Sequence, residues 1–155
     1  MCNPLFVANN IIDRAKKENI SITPMKLQKI LYFVYRDYLQ NQKDGIPLFA
    51  ERFATWKYGP VLESVYTAFK KYGSEFISDY YREDGKAYAA NEESNSLLGQ
   101  VLNDVWSKTK KYNGIQLSKI THKENSAWYK AFQNQHIFLD DKDIKNDKIE
   151  ILLNE

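Results

Sequence analysis

The sequence predicts a mainly α fold of the α+β kind: a compact helical domain carrying one small β-sheet or hairpin. Three observations predict it. A short polar residue followed by proline stands ahead of a long apolar stripe twice, at Asn3-Pro4 and Thr23-Pro24, and that pairing starts helices. Two short segments alone, residues 51–58 and 76–89, combine aromatic or β-branched residues with a following or enclosed glycine turn, as extended chain does. No repeat or linker divides the 155 residues, and an apolar fraction of 43% fills one core but not two. Residues 1–155 are therefore expected to form one domain.

Taken in order, Asn3 caps a first helix in which Leu5, Ala8, Ile11, Ile12 and Ala15 recur at helical spacing to about Glu18. The second helix, from Thr23-Pro24, carries Leu27, Ile30, Leu31, Val34, Tyr38 and Leu39, with Phe33 and Tyr35 off the centre of that stripe. Its width makes it the expected central helix, ending near Lys43-Asp44-Gly45. Glu51 to Tyr58 favours a strand. Gly59-Pro60 is expected to stop it and start a helix directly, with Val61, Leu62, Val65, Tyr66 and Phe69 as its apolar side and Tyr72-Gly73 as its end. Phe76 to Arg82 and Lys86 to Ala89, joined by Glu83-Asp84-Gly85, read as a small sheet. Ser94 or Asn95 caps a helix carrying Leu98, Val101, Leu102, Val105 and Trp106, closed by Tyr112-Asn113-Gly114. Leu117 to His122, Ser126 to Gln133 and Asp141 to Leu153 read as shorter helices.

Composition removes several function classes. No apolar run approaches the roughly 20 residues of a membrane span, and Met1-Cys2-Asn3-Pro4 lacks the basic start and apolar run of a secretory signal. With Cys2 as the single cysteine there is no intramolecular disulfide, so a cytoplasmic location is expected. His122, His136 and Cys2 cannot make a closed four-ligand metal set, and no glycine loop ends in Gly-Lys-Ser/Thr. Cys2 would be a poor nucleophile at a frayed terminus. No metal, cofactor or catalytic residue is expected, and the chain is expected not to be an enzyme. A net charge of +2 names no partner. The pairs Lys16-Lys17, Lys70-Lys71 and Lys110-Lys111, with Lys26, Lys29 and Arg36, invite a nucleic-acid-binding regulator, yet the pairs fall at helix ends where cations complement the dipole. Asp140, Asp141, Asp143 and Asp147 alternate with lysines, in the manner of caps and i,i+4 pairs. Thr121-His122-Lys123-Glu124 with Trp128 is either a small functional site or a capped helix end, with His122 at the negative pole of the dipole. Aromatic residues make up 14% of the chain, including eleven tyrosines, for an aromatic core or an aromatic binding surface.

Four segments carry more together than separately: Met25-Lys26-Leu27-Gln28-Lys29-Ile30-Leu31-Tyr32-Phe33; Pro47-Leu48-Phe49 to Glu51; Trp56-Lys57-Tyr58-Gly59-Pro60-Val61 with Val65-Tyr66 and Phe69-Lys70; and Leu117-Ser118 with Thr121-His122 to Trp128. Their order resembles the SocA-like family, also called the Panacea domain, of bacterial and phage antitoxins. The similarity runs from the first helix to about Phe132, and Lys57-Tyr58-Gly59-Pro60 is its most specific part. Thr55, Leu62 and Ala127 stand where the family often has alanine, proline and proline. The resemblance implies a helical domain that neutralises a toxin encoded beside it, in at least one kind as an adaptor delivering the toxin to a protease. It also leaves open a phage or mobile-element regulator that inhibits a host defence or cell-cycle protein. Either way the partner is a protein, and the residues implied for binding it are Trp56, Lys57, Tyr58, Gly59, Pro60, Tyr66, Thr121, His122 and Trp128. On physical grounds the Gly59-Pro60 corner fixes where Trp56, Lys57 and Tyr58 point, and a rigid aromatic corner loses little entropy on docking. The alternative is that Trp56 and Tyr66 pack into the core and leave Lys57 and Tyr58 outside.

Overall fold

In a computed structural model, which describes residues 1–153, the helix starts are built on short polar side chains. Asn3 Oδ1 accepts from the Leu5 N–H at 2.9 Å and opens α1 (Pro4–Glu18). Thr23 Oγ1 accepts from Lys26 at 3.2 Å and opens α2 (Pro24–Asn41). Each bond satisfies a donor that the first helical turn would otherwise leave unpaired.

The sheet comes next, as β1 (Ala54–Trp56) paired antiparallel with β2 (Gly59–Val61), Trp56 facing Gly59. α3 (Glu63–Phe69) follows and runs into a 3₁₀ turn, Lys70–Tyr72. The remaining helices are α4 (Ser96–Thr109), α5 (Gly114–Thr121), α6 (Ala127–Gln133) and α7 (Asp141–Lys145). No helix among the described residues is long and apolar enough to cross a membrane.

α2 is the axis of the core. Leu27, Ile30, Leu31 and Val34 have no solvent exposure and meet Val7 and Ile11 of α1, Leu98, Leu102 and Val105 of α4, Leu117 and Ile120 of α5, and Ile144 of α7 in one cluster. Phe33 and Tyr35, expected beside the apolar stripe, are buried as well. Neighbours cover α2 on every side, so its burial exceeds what one stripe predicts. Each fully buried Leu, Ile or Phe contributes on the order of 1.5–3 kcal/mol.

Several boundaries differ from the sequence expectation. Gly59-Pro60 does not start a helix; it forms β2, and the helix begins three residues later. A strand partner without a Pro N–H is tolerable at such a short edge. The expected sheet across residues 76–89 is absent apart from one bridge, Glu83 with Lys86, although Asp84 and Gly85 take the positive φ of a tight turn, 50° and 79°. Its backbone finds other partners. Asn9 of α1 donates to the carbonyls of Tyr81 and Tyr88 at 2.9 and 2.8 Å and accepts from the Tyr81 N–H at 2.8 Å. Asn10 exchanges both bonds with Ala90, 3.0 and 2.8 Å. Asn113 and Gly114 open α5 through a capping box with Gln116 and do not close α4. α2 stops at Asn41, ahead of Gly45. α7 ends at Lys145, because Asp147 turns inward.

Asp147 is buried. It accepts from Tyr32 Oη at 2.5 Å, from the Ala127 N–H at 3.2 Å and from the Ile149 N–H at 3.0 Å, and lies 3.8 Å from the Arg36 guanidinium. It is thus neither a surface cap nor half of an i,i+4 pair. Asp140 does cap α7, accepting from Lys142, and Asp141 accepts from Tyr35 Oη at 2.8 Å. The amino terminus is anchored, since the Cys2 N–H donates to the Leu48 carbonyl at 2.7 Å. Burial holds the Cys2 thiol above its ordinary range, away from the reactive thiolate.

Candidate interaction site

The β1–β2 hairpin turns at Lys57-Tyr58, both with negative φ, and Gly59 completes the reversal at φ 119°. An L side chain rarely adopts that angle. A Cβ there would also lie 2.8 Å from Thr121 Oγ1 and 2.9 Å from Lys29 Cε, so Gly59 is where the hairpin touches both α5 and α2. Gly59→Ala is expected to lower stability by about 2–4 kcal/mol through backbone strain and overpacking. A urea midpoint unchanged from the wild type would refute that.

Four side chains hold the hairpin from below. Trp128 of α6 donates its indole N–H to the Trp56 carbonyl at 2.7 Å, and Ser118 of α5 donates to the Tyr58 carbonyl at 2.5 Å. Lys29 Nζ donates to the Pro60 carbonyl at 3.0 Å. Gln28 makes two bonds to Leu62, accepting from its N–H and donating to its carbonyl, each at 2.9 Å. The outward backbone groups of β2 and the residue after it are therefore satisfied by α2.

The aromatic rings continue the support. Trp128 is stacked between His122, with ring centroids 3.9 Å apart, and Phe132, 4.7 Å apart. His122 is the C-cap of α5. Burial, reinforced by the nearby Lys29 charge, lowers its pKa, against a smaller upward pull from the Tyr58 carbonyl. The expected imidazolium at the dipole's negative pole is therefore disfavoured. Its Nε2 is buried with no hydrogen-bond partner.

Above this base opens an apolar groove of about 640 Å³, walled by Met25, Val61, Val65, Phe69 and the aromatic faces of Tyr58 and Tyr66. Gln28 and Lys29, both buried, line its inner side, and Lys57 lines its mouth. Trp56, Tyr58 and Tyr66 stay 37%, 57% and 45% exposed, and Trp56 packs edge-on against Tyr66 at 4.8 Å. Trp56 and Tyr66 thus remain at the surface.

All nine residues singled out in the sequence meet in this one region. Trp56, Lys57, Tyr58 and Tyr66 present surface, His122 is half-buried, and Gly59, Pro60, Thr121 and Trp128 are buried beneath. The sequence did not point to Gln28, Lys29 or Ser118 as members. A signal for Lys29 existed: Lys26, Lys29, Phe33 and Arg36 share one helix face, and an aromatic residue on a lysine face is unusual for a solvated side. All three cations are buried. Lys26 donates to the Lys110 carbonyl at 2.7 Å and Arg36 to the Ile149 carbonyl at 2.5 Å. Burial lowers the Lys26 pKa and brings that of Lys29 to about 7. Among the described residues no group of His, Cys, Asp and Glu is arranged to hold a metal ion.

Comparison with known proteins gives a consistent result. The family model described as "Antitoxin SocA-like, Panacea domain" matches residues 27–129, which include α2 from Leu27 onward, the hairpin, the groove lining apart from Pro24 and Met25, and Trp128. The chain is also similar to the protein named Antitoxin SocA of Caulobacter vibrioides, 39% identical over 71 residues. That alignment covers 46% of this chain and 37% of the relative, so the match spans little more than a third of that protein's length. No solved structure matches significantly.

Proposed function

The chain belongs to the SocA-like, Panacea-domain antitoxin family, and from that premise we propose that it binds a toxin protein and silences it without chemistry of its own. The observation that carries this is the exposed aromatic edge formed by Trp56, Tyr58 and Tyr66 over an apolar groove. Aromatic residues in rigid, partly apolar settings are the usual energetic centres of protein interfaces, and this edge is fixed from below by Trp128, Ser118, Lys29 and Gln28. Nucleic-acid binding is less well supported, because Lys26, Lys29 and Arg36 are buried and present no exposed row of cations along a phosphate backbone.

The test is co-expression with the product of each neighbouring gene, scoring growth rescue and co-purification. Rescue with a stable complex supports neutralisation; no rescue and no complex with any neighbour refutes it and turns attention to a host defence or cell-cycle target. Delivery to a protease is the finer mechanism, and it predicts a shortened toxin half-life in cells holding the chain. An unchanged half-life with rescue supports inhibition by occlusion.

Within that complex, Tyr58→Ala is expected to weaken binding by about 2 kcal/mol, or roughly thirtyfold. Lys57→Glu should also weaken it. Both residues are exposed at the turn, so the thermal midpoints should stay near the wild type. Loss of folding in both variants would assign the turn to stability instead.

A further inference from the structure

The groove has a chemical character beyond being apolar. Its lining contains two lysines, Lys29 and Lys57, and no carboxylate. Lys29 is 1% exposed. When protonated it has three N–H donors, and the Pro60 carbonyl is its one hydrogen-bond acceptor among the described residues. A buried ammonium with unfilled donors and no counter-ion is costly in the free protein, and an arriving carboxylate would relieve it.

Main-chain recognition is closed off here. Gln28 occupies both backbone groups of Leu62 and Lys29 occupies the Pro60 carbonyl, so a partner strand cannot extend the sheet along β2. Recognition must come from side chains entering the groove.

We propose that, in the complex, the groove takes a segment of the partner protein bearing an apolar side chain beside an Asp or Glu. The apolar group seats among Val61, Val65 and Phe69, and Lys29, 1% exposed in the free protein, swings its ammonium from the Pro60 carbonyl into the groove to meet the carboxylate. This rests on the neutralisation proposed above and names the chemistry its partner must carry. The charged and titratable groups that share the groove lining with Lys29 are Lys57, Tyr58 and Tyr66, and His122 at the end of α5 feels the Lys29 charge, whereas Lys26 of α2 is directed to the Lys110 carbonyl. β2 and α5 contain no carboxylate, so nothing on those elements competes for Lys29.

The test needs no toxin. The full chain is titrated with two capped dipeptides, acetyl-Phe-Glu-amide and its isostere acetyl-Phe-Gln-amide, and followed by NMR at pH 6, below the Lys29 pKa of about 7. The expected result is about tenfold tighter binding of the Glu peptide, with shifts at Val65 and Phe69, and loss of that preference in Lys29→Met. Equal binding of the two peptides, a preference retained in Lys29→Met, or no binding of the Glu peptide up to its solubility limit would overturn the proposal. Failure of this discrimination leaves growth rescue to be judged by itself, and failure of growth rescue leaves the groove's chemistry to be judged here.

Discussion

Asp147→Ala is expected to lower the stability of the protein by about 3–5 kcal/mol, the largest loss of any single substitution considered. The carboxylate gathers Tyr32 of α2, the first N–H of α6 and the Ile149 N–H, with the Arg36 guanidinium beside it. Removing it strands a buried phenol, two backbone donors and part of a buried cation. In a chain of this size the loss corresponds to a fall of roughly 10 °C in thermal midpoint. Asp147→Asn retains an acceptor for Tyr32 and should lie between. A thermal midpoint for Asp147→Ala within about two degrees of the wild type, well short of that scale, would show that the network is not a stabilising one.

Lys29→Met is expected to do the opposite at neutral pH, raising stability by about 1–4 kcal/mol. The side chain keeps its length and loses a charge whose burial brings its pKa from 10.5 down to about 7. The sign follows from proton counts. Below pH 7 both the folded and unfolded chains hold the proton, and the cost of burying it is fully present. Between pH 7 and about 10 the unfolded lysine keeps its proton while the folded one has released it, so wild-type stability rises with pH by up to about 1.4 kcal/mol per unit. Above that range Tyr32 and Tyr35, whose pKa values are raised chiefly by burial, ionise first in the unfolded chain and stability falls again. Urea unfolding of both proteins at pH 6, 7.5 and 9 checks this. The advantage of Lys29→Met should shrink as pH rises and reverse once the neutral amine, still donating to Pro60, is worth about 0.5–1.5 kcal/mol. An advantage constant with pH would show that Lys29 is not a desolvated cation. A variant more stable at pH 6 yet poorer at binding an acidic peptide would mark a residue kept for function at the expense of stability.

The sequence was most informative where structure is set locally. Asn3 and Thr23 cap the helices expected of them, and of Ser94 and Asn95 it is Asn95 that caps α4, because a cap is decided within four residues. Asp84-Gly85 turned as expected for the same reason. Its flanks did not pair, because Asn9 and Asn10, over seventy residues away, took their backbone groups. Gly59-Pro60 carries both a strand-ending and a helix-starting signal, and the long-range bonds from Gln28 and Lys29 decided between them. A lysine in a helix normally reads as solvated, and only tertiary packing shows Lys29 to be buried. The meeting of Trp56, Tyr58 and Tyr66 with Thr121, His122 and Trp128 was legible only through family resemblance, since no spacing rule links residues some sixty positions apart.

The hold of Asn9 and Asn10 on residues 81–90 has an evolutionary corollary. Both amides grip peptide groups, which every residue type except proline provides in the same form. The clasped segment can therefore drift in side-chain identity while its path is kept. Between relatives, mutational constraint should concentrate on two asparagines of the first helix, and the stretch they clasp should vary in composition far more readily than in length.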